Sequence, residues 1–173
     1  ASALFDIIEK SNRYSFNKSH AVSYGITGYL EAWVKAHFPL HFYCSKLITS
    51  AEKMKPREEV KDLILDSKFF KIGILPPSIK SEEPKFHLDS KQIRFGIGNI
   101  KEVGQSKVLK AINVVKTTEE LLQKKISDLS YYEMLIHIMY NLDKTSVSNL
   151  ILAGAFSGFV IPRKQMLFDY KRL

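Results

Sequence analysis

The sequence predicts a mainly α-helical fold with one small, irregular β-element, and three observations carry that prediction. Apolar residues recur at helical spacings over most of the 173 residues. Prolines and glycines punctuate these stretches where helices begin and end. Between residues 72 and 95 the helical period lapses into short extended runs, set off by Pro76-Pro77, Pro84 and Asp89-Ser90. With 45% hydrophobic and 25% charged residues, the chain can build a core, which excludes the disordered and collagen-like classes.

Over residues 19–36, Ala21, Tyr24, Gly25, Gly28, Leu30, Trp33 and Val34 fall at helical spacings. This helix is expected to end near His37, because the residue before Pro39 is driven out of the α region. Pro39 suits the first turn of a second helix, whose apolar positions Phe42, Tyr43, Leu47 and Ile48 run to Ser50. Pro56 opens a third, with Val60, Leu63, Ile64 and Phe70 facing inward and Gly73 expected as a left-handed stop. Residues 72–75, 85–88 and 92–95 read as extended. Thr117-x-x-Glu120 and Ser130-x-x-Glu133 both match the capping box, in which side chains satisfy the orphan amides of a helix start. A helix beginning near Ser146 is expected to end at Gly154, and Pro162 to open the last one. Trp33, Phe38, Tyr131 and Tyr132 are expected in a core or an interface.

Charge and missing chemistry narrow the function. Lysine and arginine exceed the acids by 8, and a pI near 9.4 favours a polyanionic partner. The single cysteine, Cys44, excludes an intramolecular disulfide or a cysteine zinc cage. No apolar run is long enough to span a bilayer, and no basic segment followed by an apolar one opens the chain, so a cytoplasmic protein with no membrane partner is expected. Two-metal nucleotidyl transfer needs carboxylates held together around the cations, and no Asp-x-Asp pair occurs. His37 and His41, at i and i+4 without a glutamate of the HExxH kind, are a weak metal signal. No catalytic and no metal-binding residue is expected.

Two segments carry binding chemistry. Phe16-Asn17-Lys18-Ser19-His20 stands where the first long helix begins. Exposed amides, a cation and two polar side chains there fit a phosphate, or Asn17 or Ser19 is simply an N-cap. In residues 96–104, Gly-Ile-Gly-Asn-Ile-Lys-Glu-Val-Gly leads into a helix bearing Lys107 and Lys110. A short helix, a glycine-containing hairpin and a second helix aim successive amides at one phosphate, although glycines before a helix also serve as plain turn chemistry. Residues 146–156 read as a second, degenerate copy.

Tyr14-Ser15-Phe16-Asn17-Lys18-Ser19-His20-Ala21-x-x-Tyr24, followed by Ala32-Trp33-Val34-Lys35-Ala36-His37-Phe38-Pro39, resembles the fingers region of the family C replicative DNA polymerases of bacteria, the DNA polymerase III alpha subunits. Gly73-Ile74-Leu75-Pro76-Pro77, the block from Ile93 to Gly104 and Leu152-Ala153-Gly154-Ala155-Phe156 follow in the family's order, so the resemblance covers residues 5–163. It implies distal fingers over residues 1–95 and a tandem helix-hairpin-helix unit over 96–173. It further implies that Asn17, Lys18, Ser19, His20 and Tyr24 face the incoming deoxynucleoside triphosphate. Gly98, Lys101, Val103, Gly104 and Lys107 would lie at the DNA backbone. The implied partners are primer-template DNA, the remainder of the polymerase chain and the sliding clamp, in a bacterium or a phage-infected host. Catalytic carboxylates and Mg²⁺ would lie in a palm outside this sequence, so the chain alone is expected to bind and not to polymerise.

Two departures stand out: Glu102 replaces the glycine usual in the family hairpin, and residues 113–144 match the family poorly, as in a divergent phage or accessory copy. A stand-alone basic helical protein that binds DNA or a replication partner is the rival expectation, and a helical interaction module whose charge has no nucleic-acid meaning is a third.

Overall fold

A computed structural model describes residues 2–12, 18–53, 56–125 and 127–172. The chain divides into two compact units, Ala1–Pro39 and Leu40–Leu173.

The first unit holds α1 (Ser2–Asn12) and α2 (Lys18–His37). Helix α1 was not anticipated from the punctuation of the sequence. Helix α2 closes with the Phe38 amide donating to the Val34 carbonyl at 2.8 Å, and Pro39 then starts the next helix, as its missing N–H allows. No residue of α2 is buried. Trp33 is 45% exposed and Phe38 more so, so neither is a core residue within this chain. They pack on one another, with ring centroids 5.9 Å apart.

The second unit has two hydrophobic clusters. The first is built on α3 (Pro39–Ala51), α4 (Pro56–Phe69) and a three-stranded sheet. Tyr43, Leu47, Ile72, Phe86 and Ile93 fill it, and buried Cys44 joins them with its thiol pushed up by desolvation. Tyr43 donates its hydroxyl to Asp66 at 2.6 Å. Helix α4 ends differently from expectation. Lys71, not Gly73, takes the left-handed conformation, with φ 58°, and the Ile72 amide reaches back to the Ser67 carbonyl. Phe70 is only partly inward: it is 39% exposed, yet its ring packs on buried Tyr43 with centroids 5.5 Å apart.

The strands are β1 (Ile74–Leu75), β2 (His87–Asp89) and β3 (Gln92–Arg94), in the order β1-β3-β2. Each lies within or beside an expected extended run. Strand β1 pairs parallel to β3 with Ile74 opposite Ile93, and β2 pairs antiparallel with Leu88 opposite Ile93. Arg94 holds the three strands in place: its guanidinium donates to Asp89 at 2.7 Å and to the Pro76 carbonyl at 3.0 Å.

The second cluster lies between a 3₁₀ turn, η1 (Ile97–Asn99), and the helices α5 (Gly104–Leu122), α6 (Tyr131–Asn141), α7 (Lys144–Ala153) and α8 (Arg163–Arg172). Phe95 packs against both clusters and joins them. Tyr131 is buried edge-on against Phe156, with ring centroids 5.7 Å apart, and donates to the Met166 carbonyl at 3.0 Å. Its neighbour Tyr132 is exposed and donates to Asp169.

The two capping-box motifs part ways. Thr117 sits inside α5 and donates back to the Asn113 carbonyl at 2.9 Å, because the buried stripe Val108, Ala111, Ile112, Val115 runs on to buried Thr118. A threonine with an i−4 carbonyl available does not interrupt a helix. Ser130 caps α6 as expected: it accepts from the Glu133 amide, while Glu133 accepts from the Ser130 amide at 2.8 Å. Helix α7 starts earlier than Ser146, because Asp143 is its N-cap. Gly154 ends it at φ 86°, as anticipated.

The capping box makes α6 acid-sensitive. Lys124 at 2.6 Å, followed by the Ser130 amide and hydroxyl, lowers the Glu133 carboxyl to about 2. A folded-state value below the unfolded one, ordinarily about 4.3 for glutamate, means the contribution is complete above the unfolded value and is lost as pH falls from there toward 2. A carbon-detected titration should place Glu133 below the other glutamates. Glu133→Gln should flatten the acid limb of a melting-temperature profile over that window.

Candidate nucleic-acid interface

Lys18, Ser19 and His20 are the first three residues of α2, and all are exposed. Asn17 lies outside the described residues. Tyr24 sits one turn beyond His20 on the same face, with ring centroids 4.4 Å apart. The Ser19 carbonyl accepts from the Ser23 hydroxyl at 2.9 Å. No acid falls in the first turn of α2, so the helix start carries its amide charge with no opposing carboxylate within that turn.

The other candidate segment begins at a crowded glycine. A Cβ on Gly96 would stand 2.5 Å from the Lys85 carbonyl carbon and 2.6 Å from the Pro84 oxygen, so only glycine lets these strands of backbone touch. The Gly98 amide donates to that same Pro84 oxygen at 2.9 Å. Gly98 therefore anchors η1 internally. Val103 is fully buried, and its amide donates to the Ile100 carbonyl; its contribution is to hold the turn onto the core.

Between them the backbone turns sharply. Glu102 at φ 65° and Gly104 at φ 60° are both left-handed. Helix α5 starts with no side-chain cap on its amides, and Lys101, Glu102 and Gly104 are exposed there. Glycine is the residue such a turn favours, since an L side chain in the left-handed region costs roughly 1–2 kcal/mol. Glu102 carries that strain.

The carbonyls of the turn are occupied from α7. Asn149 donates to the Lys101 oxygen at 3.0 Å, and the Ser146 hydroxyl lies 3.3 Å from the Glu102 oxygen. Lys107 closes the network, 2.6 Å from Asp143, 3.1 Å from the Ser146 hydroxyl and 3.4 Å from the Glu102 oxygen. Lys107, and next the amide and hydroxyl of Ser146, hold the Asp143 carboxyl well below the usual carboxylate range. Lys107 thus has a carboxylate partner already. Lys101, paired only loosely with Glu102 at 3.5 Å, and exposed Lys110 keep more of their charge for a ligand.

Asp143 lay outside every candidate segment, and Ser146 and Asn149 fell only in the segment read as a second, degenerate hairpin, not among the residues expected at the first. Asp143 followed three residues later by Ser146 was visible as an N-cap pattern; that this cap also receives Lys107 was not. Beyond α7, the Ala155 carbonyl accepts from the Ile79 amide at 2.8 Å, and Arg163 donates to the Leu152 carbonyl. The second turn is thereby tied to its surroundings.

Glu102→Gly should raise stability by about 0.5–1 kcal/mol: relief of the left-handed strain exceeds the added unfolded-state entropy of glycine. Chemical denaturation of both proteins measures the difference. Glu102→Ala, which removes the charge and retains the strain, should leave the midpoint nearly unchanged.

Comparison with known proteins agrees with this geometry. A family model described as a helix-hairpin-helix motif matches residues 71–166. The DNA polymerase III subunit alpha of Aquifex aeolicus is 36% identical over 167 residues, 95% of this chain and 13% of that protein. That of Bacillus subtilis is 30% identical over 96% of this chain and 14% of its own length, and that of Pseudomonas aeruginosa 37% identical over 62% and 9%. The chain spans only a small part of each of these relatives. With its matched hairpin family and these relatives, the chain belongs to the helix-hairpin-helix motif family and corresponds to a segment of the bacterial DNA polymerase III alpha subunits.

Proposed function

We propose that this chain is the part of a family C replicative DNA polymerase that grips duplex DNA by its phosphates and touches the incoming deoxynucleoside triphosphate. The observation that carries the duplex reading is the turn before α5. Its Lys101 and Glu102 carbonyls are occupied by Asn149, Ser146 and Lys107, while the amides that open α5 have no side-chain cap. A phosphate oxygen placed against Gly104 would meet donors and the helix dipole, with Lys101 beside it. Such contacts read backbone and not base, so binding is sequence-independent. Lys107 and Val103 act here by fixing the turn, and Gly98 by anchoring η1.

At the other candidate segment, Lys18 and His20 at the start of α2 would lie along the triphosphate, with Asn17, Ser19 and Tyr24 beside them. Catalysis belongs to residues outside this chain. Mg²⁺ would supply charge neutralisation and activation of the primer hydroxyl in the palm of the parent polymerase. Among the described residues no three of His, Cys, Asp and Glu come together as a metal site, so no step is derived through that ion here. The rest of the polymerase and the sliding clamp are the proposed protein partners, in the cytoplasm of a bacterium or an infected host. No helix of the described residues is long and apolar enough to cross a membrane.

Fluorescence anisotropy with a labelled duplex tests the hairpin. Affinity should fall as salt rises, independent of sequence, and Lys101→Glu should weaken binding and reduce the salt slope by roughly 1 or more. Glu102→Gly should tighten it by removing a carboxylate from the phosphate path. Unchanged binding by both variants would overturn the hairpin contact.

For α2 the test is kinetic. In the full-length polymerase, Lys18→Ala should lower incorporation efficiency by an amount equivalent to roughly 1.5–3 kcal/mol, the range for a hydrogen bond to a charged group, with no change in melting temperature. If Lys18→Ala and His20→Ala both retain parental kinetics while loss of Asn17 or Ser19 lowers the melting point, this helix start is a cap and not a nucleotide site.

A further inference from the structure

We infer that the groove between α5 and α6 takes one unpaired nucleotide of a nucleic-acid strand, its base on Tyr140 and its phosphate at Lys110. The groove encloses about 410 Å³, within the range of about 300–1,000 Å³ typical of small-molecule sites. Lys110, Asn113 and Thr117 line it from α5 at i, i+3 and i+7, and His137, Tyr140 and Asn141 from α6 at i, i+3 and i+4. Two largely polar helical stripes thus face one trough, with Val114 also lining it.

Three features select the occupant. No carboxylate lines the groove, in contrast to the hairpin turn, where Glu102 and Asp143 stand. Tyr140 is 88% exposed, an aromatic surface offered to solvent with no packing role to explain it. Two side-chain amides, Asn113 and Asn141, line the same groove as the cation and the ring. The Thr117 hydroxyl and one Asn141 N–H are engaged with backbone carbonyls of their own helices, which leaves the Asn141 oxygen and the Asn113 amide to address a base edge. A cation, an aromatic face and amides in one carboxylate-free trough fit a nucleotide of a single strand, whose base is free to stack. A paired base, stacked inside its duplex, cannot reach Tyr140.

Placement adds to this. Lys110 lies six residues into α5 from Gly104, about 9 Å along the helix axis, so a strand touching the turn can continue past it. The inference rests to that extent on the proposed hairpin contact, although the groove chemistry stands without it.

Anisotropy of the 173-residue chain with a short labelled oligothymidylate, and separately with a blunt duplex, tests the proposal. Tyr140→Ala should weaken single-strand binding about tenfold, as for one base stacked on an aromatic, and leave duplex binding unchanged; Tyr140→Phe should bind like the parent. Lys110→Ala should reduce the single-strand salt slope by roughly 0.7. The exposure of Tyr140 predicts unchanged melting for both of its variants, which a thermal scan checks. Parental single-strand affinity in Tyr140→Ala overturns the proposal, and so does an equal loss for strand and duplex, which would mean backbone contact only. Duplex binding that responds to Lys101→Glu, with no single-strand binding, removes the groove and keeps the hairpin. The reverse pattern removes the hairpin and keeps the groove, and a chain that binds neither probe removes both.

Discussion

A left-handed turn exposes two backbone carbonyls that no helix satisfies, and three side chains of α5 and α7 converge on them. Lys101 and Glu102 present those oxygens; Asn149 and Ser146 of α7 and Lys107 of α5 supply donors. Lys101 and Glu102 are both exposed, so water competes for these oxygens and each bond is worth only about 0.5–1.5 kcal/mol net; together they tie the turn to α7. Val147, Leu150 and Ile151 bury α7 in the second cluster, and Asp143 ties the helix start to the turn. Its carboxylate caps the helix and at the same time receives the Lys107 ammonium, so capping and docking share one side chain. Each exposed ion pair alone would be worth little. Their convergence on one turn, with Val103 buried beneath it, is what defines the geometry.

This arrangement revises how the positive charge is to be read. A net charge of +8 suggests a broad attraction to polyanions, yet several lysines have carboxylate partners: Lys107 with Asp143, Lys124 with Glu133, Lys53 with Glu59, Lys85 with Glu52. Local pairing leaves an uneven surface. Free positive charge remains at positions such as Lys110, and the groove that holds it lacks any carboxylate. Counting charges describes long-range steering, whereas contact depends on which charges are still available at the surface.

The two compact units contrast in how they use apolar residues. In Leu40–Leu173, the Phe95 ring bridges two clusters, one under the sheet and one among η1 and α5–α8. In Ala1–Pro39, Trp33, Tyr24 and Tyr29 stand exposed along a helix with no buried residue. Helices of this length owe their stability in proteins mainly to packing of one face, which fits a segment that spans 13% of a longer relative.

What was legible in the sequence is what depends on residues within a turn of each other. Pro39 and Pro56 open their helices, Gly154 ends α7, and Ser130 with Glu133 forms a reciprocal cap, because each rests on φ restrictions or on hydrogen bonds spanning three or four residues. Even the strain at Glu102 was foreshadowed, since that position reads as glycine in the resembling family. Where local signals competed, tertiary packing decided: Thr117 could cap a helix by pattern, but the buried stripe of α5 continues through it, and Lys71 rather than Gly73 absorbs the left-handed turn. The site itself was only half visible. Lysines and glycines near the hairpin were found by their spacing, yet the roles of Lys107, Gly98 and Val103 follow from partners or burial that spacing does not encode. Ser146 meets Lys107 from 39 residues away and Asn149 meets the Lys101 carbonyl from 48. No local rule relates residues at such separations. Only the packing of α7 against the turn brings those donors to those oxygens, and it therefore decides which lysines are left to bind a ligand.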